Sequence, residues 1–218
     1  MKKTLIFDYD GTIHDTIRIY ESSFREAYGW LVKEGYVREE EISTSQIAGW
    51  LGLNSKEMWD SFQPDLPQEL KDKASAMVGS AMISQIQNHQ AAWYPEAKKA
   101  LDQLKEAGYR MVILSNCKVA YREAHWKEFQ MERWFDRFYD CESYGFVPKT
   151  EIVREVMKDY PGSYIVIGDR KNDLDCAKAC ESPFIGCRYG FGEEGELKGA
   201  DRCVDSVADL PRVIGELL

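Results

Sequence analysis

Residues Thr4-Leu5-Ile6-Phe7-Asp8-Tyr9-Asp10-Gly11-Thr12 join a short apolar run to two carboxylates, a glycine and a hydroxyl. The apolar run at positions 5–7 is typical of a strand that is buried on both faces of a parallel sheet. Gly11 then permits a tight turn. Because ligands of parallel α/β sheets bind beyond the carboxyl ends of the strands, Asp8 and Asp10 are expected at the functional edge. Taken alone, the pair is equally typical of an ordinary acidic turn.

The stretch over residues 15–90 carries helical patterns and no strand signal. Apolar residues recur there at steps of three and four, first at Ile17, Tyr20, Phe24, Ala27 and Leu31. Two capping boxes mark further helix starts, at Ser43 with Gln46 and at Asn54 with Glu57. We therefore predict an all-helical domain over residues 16–89, inserted into a core made of residues 1–15 and 90–218.

After the insertion, strand and helix patterns alternate. Buried strands are predicted at residues 111–114 and 164–167, a weaker strand at 138–140 and a short one at 184–185, with amphipathic helices between them. Strands that alternate with helices predict an α/β fold with a doubly wound, parallel, Rossmann-like sheet and right-handed crossovers.

Composition excludes several classes of partner. The chain has 218 residues and a formal net charge of -9, which argues against nucleic-acid or membrane-surface binding because both usually need a basic patch. No apolar run is long enough for a signal peptide or a membrane span. The six cysteines lack zinc-site spacing and are interpreted as buried, reduced thiols, so a cytoplasmic location is expected.

Polar residues follow three of the predicted strands: Asp8 and Asp10, then Ser115 and Asn116, then Asp169 with Asp173. All are expected at one edge of the sheet. A crowd of carboxylates there is unfavourable unless a cation neutralises it, and hard oxygen ligands favour Mg²⁺. Lys149 begins a predicted helix at the same edge. A divalent metal, a lysine and a hydroxyl together suit a phosphoryl group.

In their order along the chain, these residues resemble the four motifs of the haloacid dehalogenase superfamily. The matching residues are Asp8-Tyr9-Asp10-Gly11-Thr12, Ser115, Lys149 and Gly168-Asp169-Arg170-Lys171-Asn172-Asp173. The chain resembles the phosphatase branch whose helical cap is inserted after the first motif, close to the phosphoglycolate phosphatase-like group. The later segments Tyr189-Gly190-Phe191-Gly192 and Gly199-Ala200-Asp201 look like that group as well.

The resemblance implies a phosphatase that acts on a small-molecule phosphate ester. It implies that Asp8 attacks phosphorus to form an aspartyl-phosphate, while Asp10 protonates the leaving alcohol and later activates water. Mg²⁺ would be held by the Asp8 carboxylate, the Asp10 backbone carbonyl and Asp169, with support from Asp173. The phosphoryl oxygens would be held by Thr12, Ser115, Asn116 and Lys149.

Substrate choice is expected to depend on the inserted cap. Gly49-Trp50-Leu51-Gly52 falls where related enzymes place a cap loop that faces the site, so Gly49 and Trp50 are candidate substrate contacts. The alternative is that Trp50 packs in the cap interior. His14 is interpreted as a hinge or loop residue, His125 as lying far from the motifs and Arg170 as solvated.

Alternative functions remain open. A sugar phosphomutase of the same superfamily is weakened because such relatives tend to carry a cap histidine where this chain has Tyr20. Dehalogenase and phosphonate-hydrolase relatives generally lack an aspartate at the position of Asp10. A catalytically idle binding or regulatory member is disfavoured because every catalytic position is occupied. The leaving group stays open among phosphoglycolate, sugar phosphates, nucleotides and cofactor phosphates, and the oligomeric state is not predicted.

Overall fold

The core of the molecule is a six-stranded parallel sheet with the strand order β3-β2-β1-β4-β5-β6. The structure is a computed structural model that describes residues 3–217, without the Glu194 side chain. The first strand lies at the centre, where Leu5 is level with Met111 on one side and with Ile165 on the other. The strands are β1 (Thr4–Phe7), β2 (Arg110–Ser115), β3 (Arg137–Asp140), β4 (Tyr164–Gly168), β5 (Phe184–Cys187) and β6 (Arg202–Val204).

Alternate residues of β1 face opposite layers of helices, as the two-residue period of a strand requires. Leu5 and Phe7 pack in a cluster with the helices α5 (Ala97–Glu106) and α9 (Leu210–Glu216), whereas Ile6 packs with α7 (Lys149–Asp159) and α8 (Lys171–Ala179). The predicted doubly wound α/β sheet is therefore confirmed.

The edge strand β6 was not predicted. It has three residues, and its first residue, Arg202, is exposed. Such a segment has no apolar run that distinguishes it from a loop, and it is a strand because it pairs with β5. The six cysteines are free thiols, five buried and Cys203 half-buried, as expected. Within the described chain, no helix has the length and apolar character needed to cross a membrane.

Residues 16–89 contain helices and no strand among their described positions. The two predicted capping boxes are present, with Ser43 accepting from the Gln46 amide and Asn54 from the Glu57 amide, and caps of this kind typically stabilise a helix by about 1 kcal/mol. The buried residues of this segment form a hydrophobic cluster of their own. Its helices are α1 (Ile17–Lys33), α2 (Thr44–Gly49), α3 (Ser55–Phe62) and α4 (Gln68–Gln87).

The helical segment contacts the sheet-bearing part of the chain chiefly through α4, which packs against α6 (Val119–Phe129). Tyr121 and Phe129 of α6 also pack against the apolar cluster of the helical segment. The carboxyl ends of β1, β2 and β4 therefore open towards a space that α1–α4 cover from the other side.

Candidate active site

One cavity of about 630 Å³ lies between the carboxyl edge of the sheet and the helical segment. Asp8 and Asp10 reach it from the turn after β1, Ser115 from the end of β2 and Lys149 from the start of α7. The parallel arrangement explains the convergence, since every strand delivers its following residue to the same edge.

Three buried carboxylates stand close together at this edge. One oxygen each of Asp8, Asp169 and Asp173 lie within 4.8 Å of one another, and Asp169 Oδ1 has no hydrogen-bond partner among the described residues. Burial raises the pKa of Asp8 well above its ordinary value, and burial together with the Asp173 charge raises the pKa of Asp169 to about 7. The donor set, all hard oxygens, fits a small divalent cation such as Mg²⁺.

Lys149 supplies the one positive charge that contacts this cluster directly in the described structure. Its Nζ donates to Asp8 Oδ1 at 2.5 Å and to Asp173 Oδ1 at 2.8 Å, and its side chain is buried. Burial disfavours the ammonium ion, but the charges of Asp173 and Asp8 outweigh this effect and raise the pKa of Lys149. The lysine is therefore a permanent cation beside the proposed nucleophile.

Glycines pack tightly around Asp169. Gly11 has a φ of +84°, and a Cβ there would lie 2.3 Å from Asp169 Oδ2. A Cβ on Gly190 or Gly192 would also collide with Asp169. The amide of Phe191, between these two glycines, donates to Asp169 Oδ2 at 2.6 Å. The segment around Phe191 thus encloses one oxygen of Asp169 and leaves the other available to a ligand.

The Asp10 carboxylate is held by three side chains. Its Oδ1 accepts hydrogen bonds from Thr16 Oγ1 and from the Tyr121 hydroxyl, both at 2.7 Å, and lies 3.2 Å from His14 Nδ1. Burial opposes ionisation, but the contacts with His14, Tyr121 and Thr16 prevail and lower the pKa of Asp10. Its side chain is 20% exposed, so it reaches the cavity in a defined orientation.

The expectation that His125 lies far from the motifs is wrong. Its ring is fully buried, with its centroid 4.5 Å from that of His14. Its Nδ1 lies 2.8 Å from the Tyr9 hydroxyl, which also accepts a hydrogen bond from Trp93 Nε1. Burial, together with the neighbouring His14, lowers the pKa of His125 well below its ordinary value and keeps the ring neutral. His14 accordingly belongs to a buried polar network beside Asp10 rather than to a simple hinge.

The other phosphate-binding candidates occupy different positions. Ser115 is buried and lines the cavity, as does Asn116, whose Nδ2 lies 3.5 Å from the Gly52 carbonyl oxygen. Thr12 also follows β1, but its side chain is fully buried, lies away from the cavity wall and has no partner for its hydroxyl among residues 3–217. Because Asp169 and Asp173 are also absent from the cavity lining, the role of Thr12 as a phosphate ligand stays a prediction.

The loop after α2 does reach the cavity, although Gly49 does not line it. Gly49 is exposed at the end of the helix. Trp50 lines the cavity and also packs against Phe24 and Phe62, with ring centroids 5.1 and 4.8 Å away, so both interpretations of this residue describe real contacts.

Arg170 is not solvated, contrary to expectation. Its Nε donates to Glu196 Oε2 at 3.0 Å, and its Nη1 donates to the Leu51 carbonyl. It joins the fourth motif to the loop after α2. The role of Tyr121 was also missed, although its position four residues before His125 on a helix that follows Ser115 was a usable signal.

Known proteins resemble this chain in sequence and in fold. Residues 5–187 match the family model described as haloacid dehalogenase-like hydrolase. A phosphoglycolate phosphatase from Psychrobacter arcticus is 24% identical, with 90% of this chain and 88% of the relative covered, and one from Vibrio parahaemolyticus is 22% identical, with 97% and 96% covered. The crystal structure of a predicted phosphatase from Clostridium acetobutylicum superposes with a TM-score of 0.83 at 22% identity, over 99% of each chain.

Proposed function

This chain belongs to the haloacid dehalogenase-like hydrolases, and on that premise we propose that it is a magnesium-dependent phosphatase that hydrolyses small phosphate monoesters through a phosphoryl group carried on Asp8. The observation that carries the proposal is the contact of the buried Asp8 carboxylate with Lys149 and its proximity to Asp169 and Asp173. In this proposal α1–α4, within residues 16–89, act as a cap that excludes water from the site.

In the first step an Asp8 oxygen forms a bond to phosphorus as the bond from phosphorus to the leaving oxygen breaks. Lys149, Ser115 and Asn116 hold the phosphoryl oxygens at the cavity floor. Asp10 gives a proton to the leaving alcohol. Because the contacts around Asp10 lower the pKa of its carboxyl, the carboxyl has to take up this proton beforehand, from solvent or from the monoanion of the phosphate ester.

In the second step Asp10 takes a proton from water, the water oxygen attacks phosphorus, and the bond to Asp8 breaks to release inorganic phosphate. The carboxylates of Asp8, Asp169 and Asp173 and the backbone carbonyl of Asp10 would hold Mg²⁺. When bound, the ion supplies positive charge that lets a carboxylate approach a phosphate.

Metal dependence has an assay that does not rely on turnover. A carboxyl whose pKa is higher in the folded than in the unfolded state stabilises the folded state while it is protonated. The stabilisation by protonated Asp169 is therefore lost as the pH rises from about 4 to about 7. We expect saturating Mg²⁺ to raise Tm by about 5 °C or more at about pH 7.5, and by less at about pH 5. Differential scanning fluorimetry measures this.

The matching activity assay is release of p-nitrophenol from its phosphate ester, which we expect with Mg²⁺ and not with EDTA. Asp169→Asn should remove the Tm shift. The control variant is Asp15→Asn, which should keep the shift, because Asp15 lies near Asp8 in the sequence but pairs with Arg18. A Tm that is indifferent to Mg²⁺, together with turnover in EDTA, would contradict the magnesium site.

Tyr121 is expected to act as a positioning residue for Asp10. Tyr121→Phe removes the 2.7 Å hydrogen bond to Oδ1, so the carboxylate loses one of the contacts that orient it towards the leaving oxygen. We expect kcat to fall by about tenfold or more for an alkyl phosphate, whose alkoxide needs a proton, and by much less for p-nitrophenyl phosphate.

The matched control is Tyr139→Phe, which removes a hydrogen bond of the same length, 2.7 Å, from the Tyr139 hydroxyl to the Asp159 carboxylate. Asp159 lies at the end of α7 opposite to Lys149, away from the site. Tyr139→Phe should leave both rates unchanged. Equal losses on both esters in Tyr121→Phe would show a structural role only.

A further inference from the structure

The cavity extends from Asp8 and Lys149 into the cap, and its cap wall is largely apolar. One face of α4 contributes residues at helical spacing, among them Val78, Gly79, Met82 and Ile83, and Tyr20, Trp50 and Trp59 add aromatic rings. A volume of about 630 Å³ exceeds what a phosphoryl group with a two-carbon leaving group fills, and it falls in the range of sites for drug-sized ligands.

The cap offers poor recognition for an anionic leaving group. Lys56 is the cation that the cap contributes among the described lining residues, but its side chain is 73% exposed and pairs with Asp60 at 2.7 Å. On the core side, Arg170 is bound to Glu196 and to the Leu51 carbonyl. This leaves Lys118, an exposed residue on the core side of the cavity, as the one lining cation without a carboxylate partner in the described chain.

The cap offers only a few free polar groups to a sugar, among them the Tyr20 and Ser55 hydroxyls and Trp59 Nε1. Three of its polar lining side chains are already hydrogen-bonded within the protein: Thr16 to Asp10, Asn54 to the Glu57 amide and Ser75 to the Lys71 carbonyl. A polyol needs a matching set of polar partners, because each hydroxyl that loses water without replacement costs binding free energy.

An aromatic side chain also stands on the opposite wall. Phe146 lines the cavity from the core side and is 55% exposed. Its backbone has a φ of +60°, a conformation that is unfavourable for a bulky residue. An exposed phenylalanine held in this way faces the same space as Trp50 and Tyr20.

We propose that the preferred substrate is a phosphate monoester whose leaving group carries an uncharged aromatic body, which binds between the apolar cap wall and Phe146. The inference rests on the proposed phosphatase function. It differs from what the names of the curated relatives say of those proteins, because glycolate is small and anionic.

The first experiment compares esters of similar intrinsic reactivity with Mg²⁺ present: phenethyl phosphate, ethyl phosphate, glycerol phosphate and phosphoglycolate. We expect kcat/KM for phenethyl phosphate to exceed that for ethyl phosphate by about 10- to 100-fold, the ratio that burial of one phenyl ring supplies. The glycerol and glycolate esters should not exceed ethyl phosphate.

The second experiment fills the cavity. Gly79 lies within α4 and lines the cavity, and a Cβ on it would meet no atom within 4 Å. In Gly79→Phe protein whose fold is checked by circular dichroism, kcat/KM for phenethyl phosphate should fall by about tenfold or more relative to that for ethyl phosphate. Gly29→Phe is the matched control, since Gly29 lies within α1 with the same open space and away from the cavity.

The outcomes separate the two proposals. Suppose that phosphoglycolate is hydrolysed in preference to phenethyl phosphate and that Lys118→Met loses this preference. This result would contradict the proposed aromatic leaving group but not the proposed phosphatase function. A preference for glycerol phosphate would contradict the aromatic leaving group as well. Absence of turnover on all four esters by a folded, Mg²⁺-loaded protein would overturn the phosphatase itself.

Discussion

An Asp8→Asn variant is expected to lose at least about 10³-fold in kcat on every phosphate ester that the wild-type protein hydrolyses, a barrier increase of about 4 kcal/mol. The amide keeps the shape of the carboxylate, but it lacks the anionic oxygen that forms the bond to phosphorus. Release of inorganic phosphate with saturating Mg²⁺ measures the effect. Acid-quenched wild-type protein should carry one phosphoryl group on the peptide that contains Asp8, and the variant should carry none.

The Asp8→Asn protein should remain folded. Burial disfavours the charge of Asp8, and a neutral amide removes one of three crowded carboxylates, so the metal-free variant is expected to unfold at a temperature no lower than that of the wild type. Asp15→Asn removes a carboxylate from the same region of sequence and should keep full activity. Turnover within tenfold of wild type in Asp8→Asn would contradict the covalent route.

Lys149→Met is expected to give the second large effect. It should lower kcat by at least about 10²-fold, because the phosphoryl oxygens and Asp8 lose their fixed positive charge. It should also lower the free energy of unfolding of the metal-free protein by about 3–5 kcal/mol, the usual cost of removing one partner of a buried ion pair. Steady-state kinetics and urea unfolding measure the two effects.

Lys71→Met is the matched control for Lys149→Met. Lys71 is also buried, with Nζ bonded to Asp60 Oδ1 at 2.7 Å and to the Pro64 carbonyl at 3.0 Å, but it lies in the cap on α4. The Lys71→Met protein should be less stable than the wild type but should have the same kcat.

Combining Asp8→Asn with Lys149→Met should restore part of the stability that Lys149→Met loses, since fewer uncompensated carboxylates remain. Unchanged kcat in a folded Lys149→Met protein would show that the lysine is structural only.

Several features of the fold were predictable from short stretches of sequence. The apolar run before Asp8 is a strand, and both capping boxes form. Each depends on residues a few positions apart, whose spacing reports directly on a strand, a helix or a helix start. The short edge strand β6 escaped prediction because pairing with β5, rather than its own pattern, makes it a strand.

The site, like the fold, has features that short stretches of sequence predict and features that depend on tertiary packing. The order of the motifs predicted that Asp8, Ser115, Lys149 and Asp169 follow strands or begin helices at one edge, and parallel topology brings them together. Their catalytic and metal-binding roles stay predictions, to be tested by the variants above. The position of Thr12 away from the cavity wall was not predictable, because which way a turn residue points depends on what packs over it.

Local patterning decided the kind of fold and the edge at which its polar residues meet. Tertiary packing alone decided what surrounds Asp10, since Tyr121 lies 111 residues away in the chain and reaches Asp10 Oδ1 only because α6 packs beside the turn after β1. It also decided the apolar character of the cap wall, where α4 and the loop after α2 meet over the carboxylates. The physical reason is the range of the interactions: backbone hydrogen bonds and side-chain periodicity act over a few residues, whereas burial and the contacts within a cavity depend on segments that only the folded chain brings together.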